Sequence, residues 1–275
     1  MRRTITAIVP AFNEARNIRD CLASLDWVDE LLVVDSGSTD GTLEIARELA
    51  DTVLQHEYKY SAAQKNWTIP QAKYAWVLLL DADERCTADL KAEIIAILNA
   101  QQDPPHGAYW IYRRNHFLGR EIKYCHWDHD RVIRLFQRDN YRYENFKVHA
   151  EIQPQVNVGR LNNRLLHHPY RDLDDYFKKL IRYTPWGAEK ALRNGLRGGV
   201  IHIIFRPAWE FFRRYFLYLG FMDGVHGLVI SLTSAIMIAF RYIKLWEICT
   251  KDYCRDTYLA NLPGGEREDP GRGGA

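Results

Sequence analysis

A chain of 275 residues with 47% hydrophobic and 26% charged side chains can bury one large domain with an appendage, and its composition is that of a folded protein. The 37 lysines and arginines against 35 aspartates and glutamates leave +2, too balanced for a nucleic-acid-binding protein. Five cysteines without a C-x-x-C pair argue against a disulfide scaffold or zinc ribbon and for a reducing cytoplasm.

The apolar stretch after Arg2 and Arg3 stops at Pro10, so no secretory signal is expected. Thr4 to Val9 reads as a buried strand, followed by Asn13 as a helix cap and a helix through Leu25. Leu31 to Val34 is apolar on both faces, as a central parallel strand is. After the loop Ser36 to Gly41, a helix runs from Thr42 to near Ala50. Thr52 to Leu54 makes a short third strand, and Ala62 to Ala72 a helix with Pro70 near its end. Trp76 to Leu80 is the fourth strand. Thr87 then caps a helix whose Leu90, Ile94, Ile97 and Leu98 form one apolar stripe. This alternation predicts an α/β fold, a mainly parallel sheet flanked by helices.

Beyond Ala108 the character changes. Tyr109 to Tyr112 and Val132 to Phe136 read as strands around a polar, aromatic and basic stretch. Asp172 caps a helix through Ala191, a break at Gly195, Gly198 and Gly199 follows, and apolar helices run from Val200 to Glu247. The expected division is a catalytic domain over 1–172, a helical extension over 173–255 and a disordered tail over 256–275.

Open α/β sheets bind ligands at the carboxyl ends of their strands. There the second strand delivers Asp35, whose carboxylate can accept hydrogen bonds from a base or ribose, with Asp40 left to cap the next helix. The fourth strand ends in Asp81-Ala82-Asp83-Glu84, and in an extended chain Asp81 and Asp83 converge. Paired carboxylates repel unless a cation sits between them, and a hard divalent ion with diphosphate oxygens would relieve this. No G-x-G-x-x-G, P-loop or G-x-S-x-G motif occurs, so metal and side chains are left to hold phosphates. Lys65 is either such a contact or part of an exposed helix face.

The runs Val9-Pro10-Ala11-Phe12-Asn13-Glu14, Val33 to Thr42 and Leu79 to Glu84 resemble the family 2 glycosyltransferases. The resemblance implies a GT-A fold, a nucleotide-sugar donor (UDP-linked by expectation), a divalent metal (Mg or Mn) and inversion at the anomeric carbon. It places donor binding in 1–105 and the acceptor side in 106–172. Asp35 would recognise the base, Asp81 the ribose and Asp83 the metal, while Pro10, Phe12, Glu14 and Lys65 would line the donor pocket.

Gln64-Lys65-Asn66-Trp67, Arg134-Leu135-Phe136, the Val148-His149 element, His167 to Leu173 and Gly220 to Gly224 are similar to the lipopolysaccharide-core β-1,4-glucosyltransferase-like branch. That branch reads Val-His-Glu where this chain has Val148-His149-Ala150-Glu151, so Glu151 needs a local bulge to take the glutamate's place. Inverting transfer needs a carboxylate base. Among Glu151, Glu144, Asp128 and Asp130, Glu151 is favoured, with His149 beside it as a hydrogen-bond partner. His167 is a candidate for the metal shell or a structural histidine.

His126-Trp127-Asp128-His129-Asp130 could hold a metal of its own, as in a phosphohydrolase. The preferred reading has this stretch face an anionic acceptor, together with Arg113, Arg114, Arg120 and Lys123.

Gly224 to Phe240 is free of formal charge but too short to cross a bilayer. Arg206, Arg213 and Arg214 among Phe205, Trp209, Phe211, Phe212, Tyr215 and Phe216 suit a helix at the headgroup layer, with a packed helical hairpin as the rival. The expectation is therefore a peripheral enzyme on the cytoplasmic membrane face that transfers sugar to a glycolipid or other lipid-linked saccharide. A polyprenyl-phosphate acceptor is the nearest alternative.

Overall fold

The computed structural model describes residues 3–144, 151–154, 156–170, 172–193, 195–196 and 198–250; His149 and the 256–275 tail lie outside them. The first half alternates β1 (Ile5–Ala11), α1 (Ala15–Ala23), β2 (Glu30–Asp35), α2 (Thr42–Leu49), β3 (Thr52–Gln55), α3 (Ser61–Thr68), β4 (Trp76–Leu79), β5 (Glu84–Arg85) and α4 (Ala88–Asn99). Then come β6 (Ala108–Phe117), β7 (Arg120–Glu121), β8 (Arg131–Gln137), β9 (Arg142–Tyr143), β10 (Ile152–Gln153) and β11 (Val158–His167). Three long helices follow: α5 (Leu173–Arg193), α6 (Val200–Phe212) and α7 (Gly224–Thr250).

The main sheet has the order β3-β2-β1-β4-β8-β6-β11-β5. Strands β1 to β4 pair in parallel, whereas β8 runs antiparallel to both β4 and β6. Both faces are covered, which explains why β1 and β2 read as unbroken apolar runs. Ala7, Val9, Val33 and Leu78 pack with Leu22, Ile94 and Leu98 on one side, and Ile8, Leu32, Val77 and Leu79 with Ile69 and Phe136 on the other.

Thr87 caps α4 as expected, its side chain accepting from the Leu90 N–H at 3.2 Å. Asn13 does not cap α1: it adopts φ 53°, and its carboxamide oxygen accepts from the Thr39 N–H at 2.9 Å. The helix starts only at Ala15. The longest strand the sequence hides is β11, whose register against β6 shifts between Arg160 and Arg164. Glu93 fills that irregularity, accepting from the Asn162 and Asn163 N–H groups at 2.8 and 2.9 Å.

The chain divides into two compact units at Arg171/Asp172. In the second, Ala188 and Ala191 of α5 pack with Tyr242, Leu245 and Ile248 of α7. Helix α7 is continuous through Arg241, Lys244 and Glu247, so its 27 residues reach about 40 Å at ~1.5 Å per residue. With the preceding turn, Gly220–Thr250 is long and apolar enough to cross a membrane, although core helices pass the same test.

Gly227 lets that turn lie against α7. A Cβ there would sit 1.8 Å from the Gly220 carbonyl oxygen. Backbone cannot rotate away as a side chain can, so the overlap outweighs alanine's better helix propensity. Gly227→Ala is expected to destabilise the helical unit by about 1–3 kcal/mol, read as a lower unfolding midpoint in helical circular dichroism.

Candidate active site

The carboxyl ends of β1, β2 and β4 converge on two acidic loops. Asp35 is wholly buried. Its Oδ2 accepts from the Gly37 and Ser38 N–H groups at 2.9 and 3.0 Å, while Oδ1 has no hydrogen-bond partner among the described residues. A buried acceptor without a donor is costly unless a ligand supplies one. Around it, the Asn13 N–H donates to Ser38 Oγ and the Glu14 N–H to Thr42 Oγ1. The Glu14 carboxylate accepts from Asn17 Nδ2 at 2.8 Å. Pro10 is half-buried and Phe12 exposed at the same strand end.

The segment after β4 is a turn, not an extended strand: the Glu84 N–H donates to the Asp81 carbonyl at 2.9 Å. The alternation that would bring Asp81 and Asp83 to one side therefore does not apply. Each finds its own partner. Asp81 takes Lys65 Nζ on Oδ1 at 2.8 Å and Arg134 Nη2 on Oδ2. Burial alone would raise its carboxyl, but Arg134 and then Lys65 outweigh that and hold it well below the usual carboxylate range. Lys65 is accordingly buried in an ion pair, and the exposed-face reading of its helix is overturned.

Glu84, fully buried, ties the corner together. Its Oε1 accepts from Arg134 at 2.8 Å and Arg113 at 3.2 Å, and its Oε2 from the Asp81 N–H at 3.0 Å. Arg113 also holds Asp130 at 2.6 Å, so it faces this network rather than an anionic acceptor. Burial pushes Asp130 up, but Arg113 outweighs it and keeps the carboxyl below its usual range, a poor setting for a base. In the His126 to Asp130 stretch, His129 Nε2 lies 3.4 Å from Asp128 Oδ2, but among the described residues no group of three or more His, Cys, Asp or Glu side chains is placed to hold an ion.

Two such groups do face each other. His167 Nε2 lies 3.7 Å from Asp83 Oδ2, and its Nδ1 lies 2.6 Å from Asn115 Oδ1. Asn115 Nδ2 donates to the Trp127 carbonyl at 3.1 Å and to Asp130 at 3.0 Å, which leaves its Oδ1 as an acceptor. The Nδ1 proton is thereby fixed, and Nε2 turns toward the carboxylate. Nε2 and Asp83 repel unless a proton or a metal ion lies between them. One carboxylate and one imidazole fit a divalent ion that takes its remaining ligands from diphosphate and water.

Glu151 is exposed, its carbonyl accepting from the Glu144 N–H at 2.9 Å beside the β9–β10 pair. Asn66 ties α3 to that pair, donating to and accepting from the Tyr143 backbone at 2.8 Å. Arg134, Glu84 and Asn115 received no role from sequence reasoning. The available signal was a lone arginine inside the apolar run Val132-Ile133-Arg134-Leu135-Phe136. Nothing comparable marks Asn115.

An open, mainly parallel sheet flanked by helices, with acidic loops at its carboxyl edge, is a GT-A-like architecture. The profile described as Glycosyl transferase family 2 matches residues 6–164, more than half of the chain, and the chain belongs to that family. It is 29% identical over 250 residues to the lipopolysaccharide core biosynthesis glycosyltransferase LpsC of Rhizobium meliloti (strain 1021), covering 88% of this chain and 92% of that one. An uncharacterized glycosyltransferase of Rickettsia bellii (strain RML369-C) is 25% identical, with 90% and 88% covered. Among solved structures, the mannosyltransferase PcManGT of Pyrobaculum calidifontis, in complex with GDP-Man and Mn2+, is 30% identical over 42% of this chain and 36% of that one, with a TM-score of 0.36. S. aureus TarS 1-349 matches 90% of this chain and 91% of that one at 15% identity and a TM-score of 0.43.

Proposed function

We propose that this glycosyltransferase is an inverting, metal-dependent enzyme that moves a hexose from a nucleotide sugar to a lipid-linked saccharide at the cytoplasmic membrane face. The observation that carries the proposal is the Asp83–His167 pair, with the histidine's proton held on the far nitrogen by Asn115. Asp83 and His167 would hold a divalent ion, which would supply charge to neutralise the leaving diphosphate. Asp35 offers its buried oxygen to an N–H of the donor base, with Pro10, Phe12 and Glu14 lining the same edge. Lys65 and Arg134 position Asp81 toward the ribose. Glu151 takes the proton of the attacking acceptor hydroxyl.

The acceptor class rests on the likeness to LpsC and on the helical unit. Helix α6 is turned inside out for a water-soluble helix: Ile201, Phe205, Trp209 and Phe212 are exposed along one face, while Glu210 is buried. Glu210 pairs with Arg213 and Arg214 at 2.5 Å, which offsets the burial of its carboxylate while both arginine side chains stay partly exposed. The apolar stripe, continued by Phe216, Phe221 and Met222, suits insertion into the headgroup–acyl boundary.

Thermal-shift measurements with UDP- and GDP-sugars, with and without manganese, test the donor side. One sugar nucleotide should stabilise the protein only when metal is present. Stabilisation independent of metal would overturn the metal assignment, and product partitioning with the lipid phase would identify the acceptor. Asn115→Ala should weaken manganese binding by about 10–100-fold in calorimetric titration, because His167 loses the partner that orients it.

A further inference from the structure

A cavity of about 270 Å³ opens beside the Asp83 turn, lined by Arg16, Asn17 and Asp20 of α1, Arg85 of β5, and His168 and Tyr170 after β11. It lies within the first compact unit and uses none of the donor-side residues. Its charges are unlike those of the neighbouring network. Arg113 and Arg134 each have carboxylates within hydrogen-bond distance. Arg85 is as deeply placed, its side chain 11% exposed, yet its close partners are neutral: the Ala82 carbonyl and Asn17 Oδ1, both at 3.2 Å. Asp20, the carboxylate that approaches it, stays 3.7 Å away and is 75% exposed, so water screens most of its charge. Arg16 is exposed and has no partner among the described residues. Two guanidiniums against one solvated carboxylate leave the cavity cationic, with N–H donors of Arg85 uncommitted.

The cavity is also fixed to the reacting end of the site. Arg85 bonds the Ala82 carbonyl, and the His168 N–H donates to the Asp83 carbonyl at 2.9 Å. A ligand in it would therefore sit across one turn of chain from the diphosphate. Its volume suits one sugar residue rather than an oligosaccharide.

We infer that this cavity is an acceptor subsite that recognises an anionic substituent, a carboxylate or a phosphate ester, on a sugar of the acceptor, with Arg85 and Arg16 as its ligands. The inference rests on the glycosyltransferase reading above and adds the chemistry by which the acceptor is selected. Carboxylate and phosphate both match the planar fork of a guanidinium.

The test titrates the full-length protein, free of divalent cations, with glucuronate, glucose 6-phosphate and glucose, following binding by calorimetry. At least one charged sugar should bind and glucose should not, and the tighter of the two names the source of the charge. Arg85→Gln and the surface variant Arg16→Gln should each weaken that binding about tenfold or more. Failure of both charged sugars to bind the parent, equal binding of glucose, or unchanged affinity in both variants would overturn the assignment. UDP or GDP binding with manganese to the parent is measured separately. Its absence counts against the transferase reading, while the sugar titrations still decide the cavity.

Discussion

Arg134→Met should lower the unfolding free energy of the first unit by about 3–5 kcal/mol, the usual consequence of removing one partner from a buried ion network. The guanidinium is 3% exposed and bridges Asp81 to Glu84, whose side chain has no solvent contact. Methionine fills similar volume but leaves Glu84 to Arg113 and Asp81 to Lys65. Urea unfolding monitored by tryptophan fluorescence measures the loss. The same variant changes the acid limb of stability. Asp81 titrates near ~3.9 when unfolded and well below that when folded. Between those values the unfolded chain binds more protons, so the Asp81 contribution is complete above about pH 4 and lost as the pH falls further. Without Arg134 that acid loss should be shallower; an unchanged profile would show that Arg134 does not govern Asp81.

Asp83→Asn should reduce kcat by about 10²–10³-fold or more at saturating donor while leaving the fold intact. Its side chain is 20% exposed and faces His167 Nε2 at 3.7 Å, and asparagine matches its size. The amide keeps the shape and removes the charge that would hold a divalent ion against the imidazole. His167→Ala should instead shift the manganese concentration needed for half-maximal rate upward by about 10–100-fold. Full activity of Asp83→Asn at ordinary metal concentrations would end the metal reading.

Strands β1, β2 and β4 were legible because each is a short apolar run closed by a turn signal, and burial on both faces leaves little else for such runs to do. Strand β11 was not, since Asn162 and Asn163 interrupt it where the ladder shifts register and where a side chain from α4 supplies the missing acceptor. The acidic positions Asp35, Asp81 and Asp83 could be picked out by their place after strands. What each one touches could not: Arg134 and Asn115 come from strands more than thirty residues away in sequence, and pairing across a sheet leaves no local pattern. The Asp81–Asp83 geometry does not follow strand periodicity because β4 ends at Leu79 and both aspartates lie beyond it, around a turn.

The position of β8 has a consequence for how the molecule can be cut. It lies directly against β4, and through Arg134 it neutralises the two carboxylates that follow that strand. A fragment ending at residue 105 would keep every recognisable donor motif yet strand Glu84 as an uncompensated anion beside an open sheet edge. The stretch that carries the family signature is thus no portable cassette; grafted without its downstream half, it should aggregate before it could bind anything.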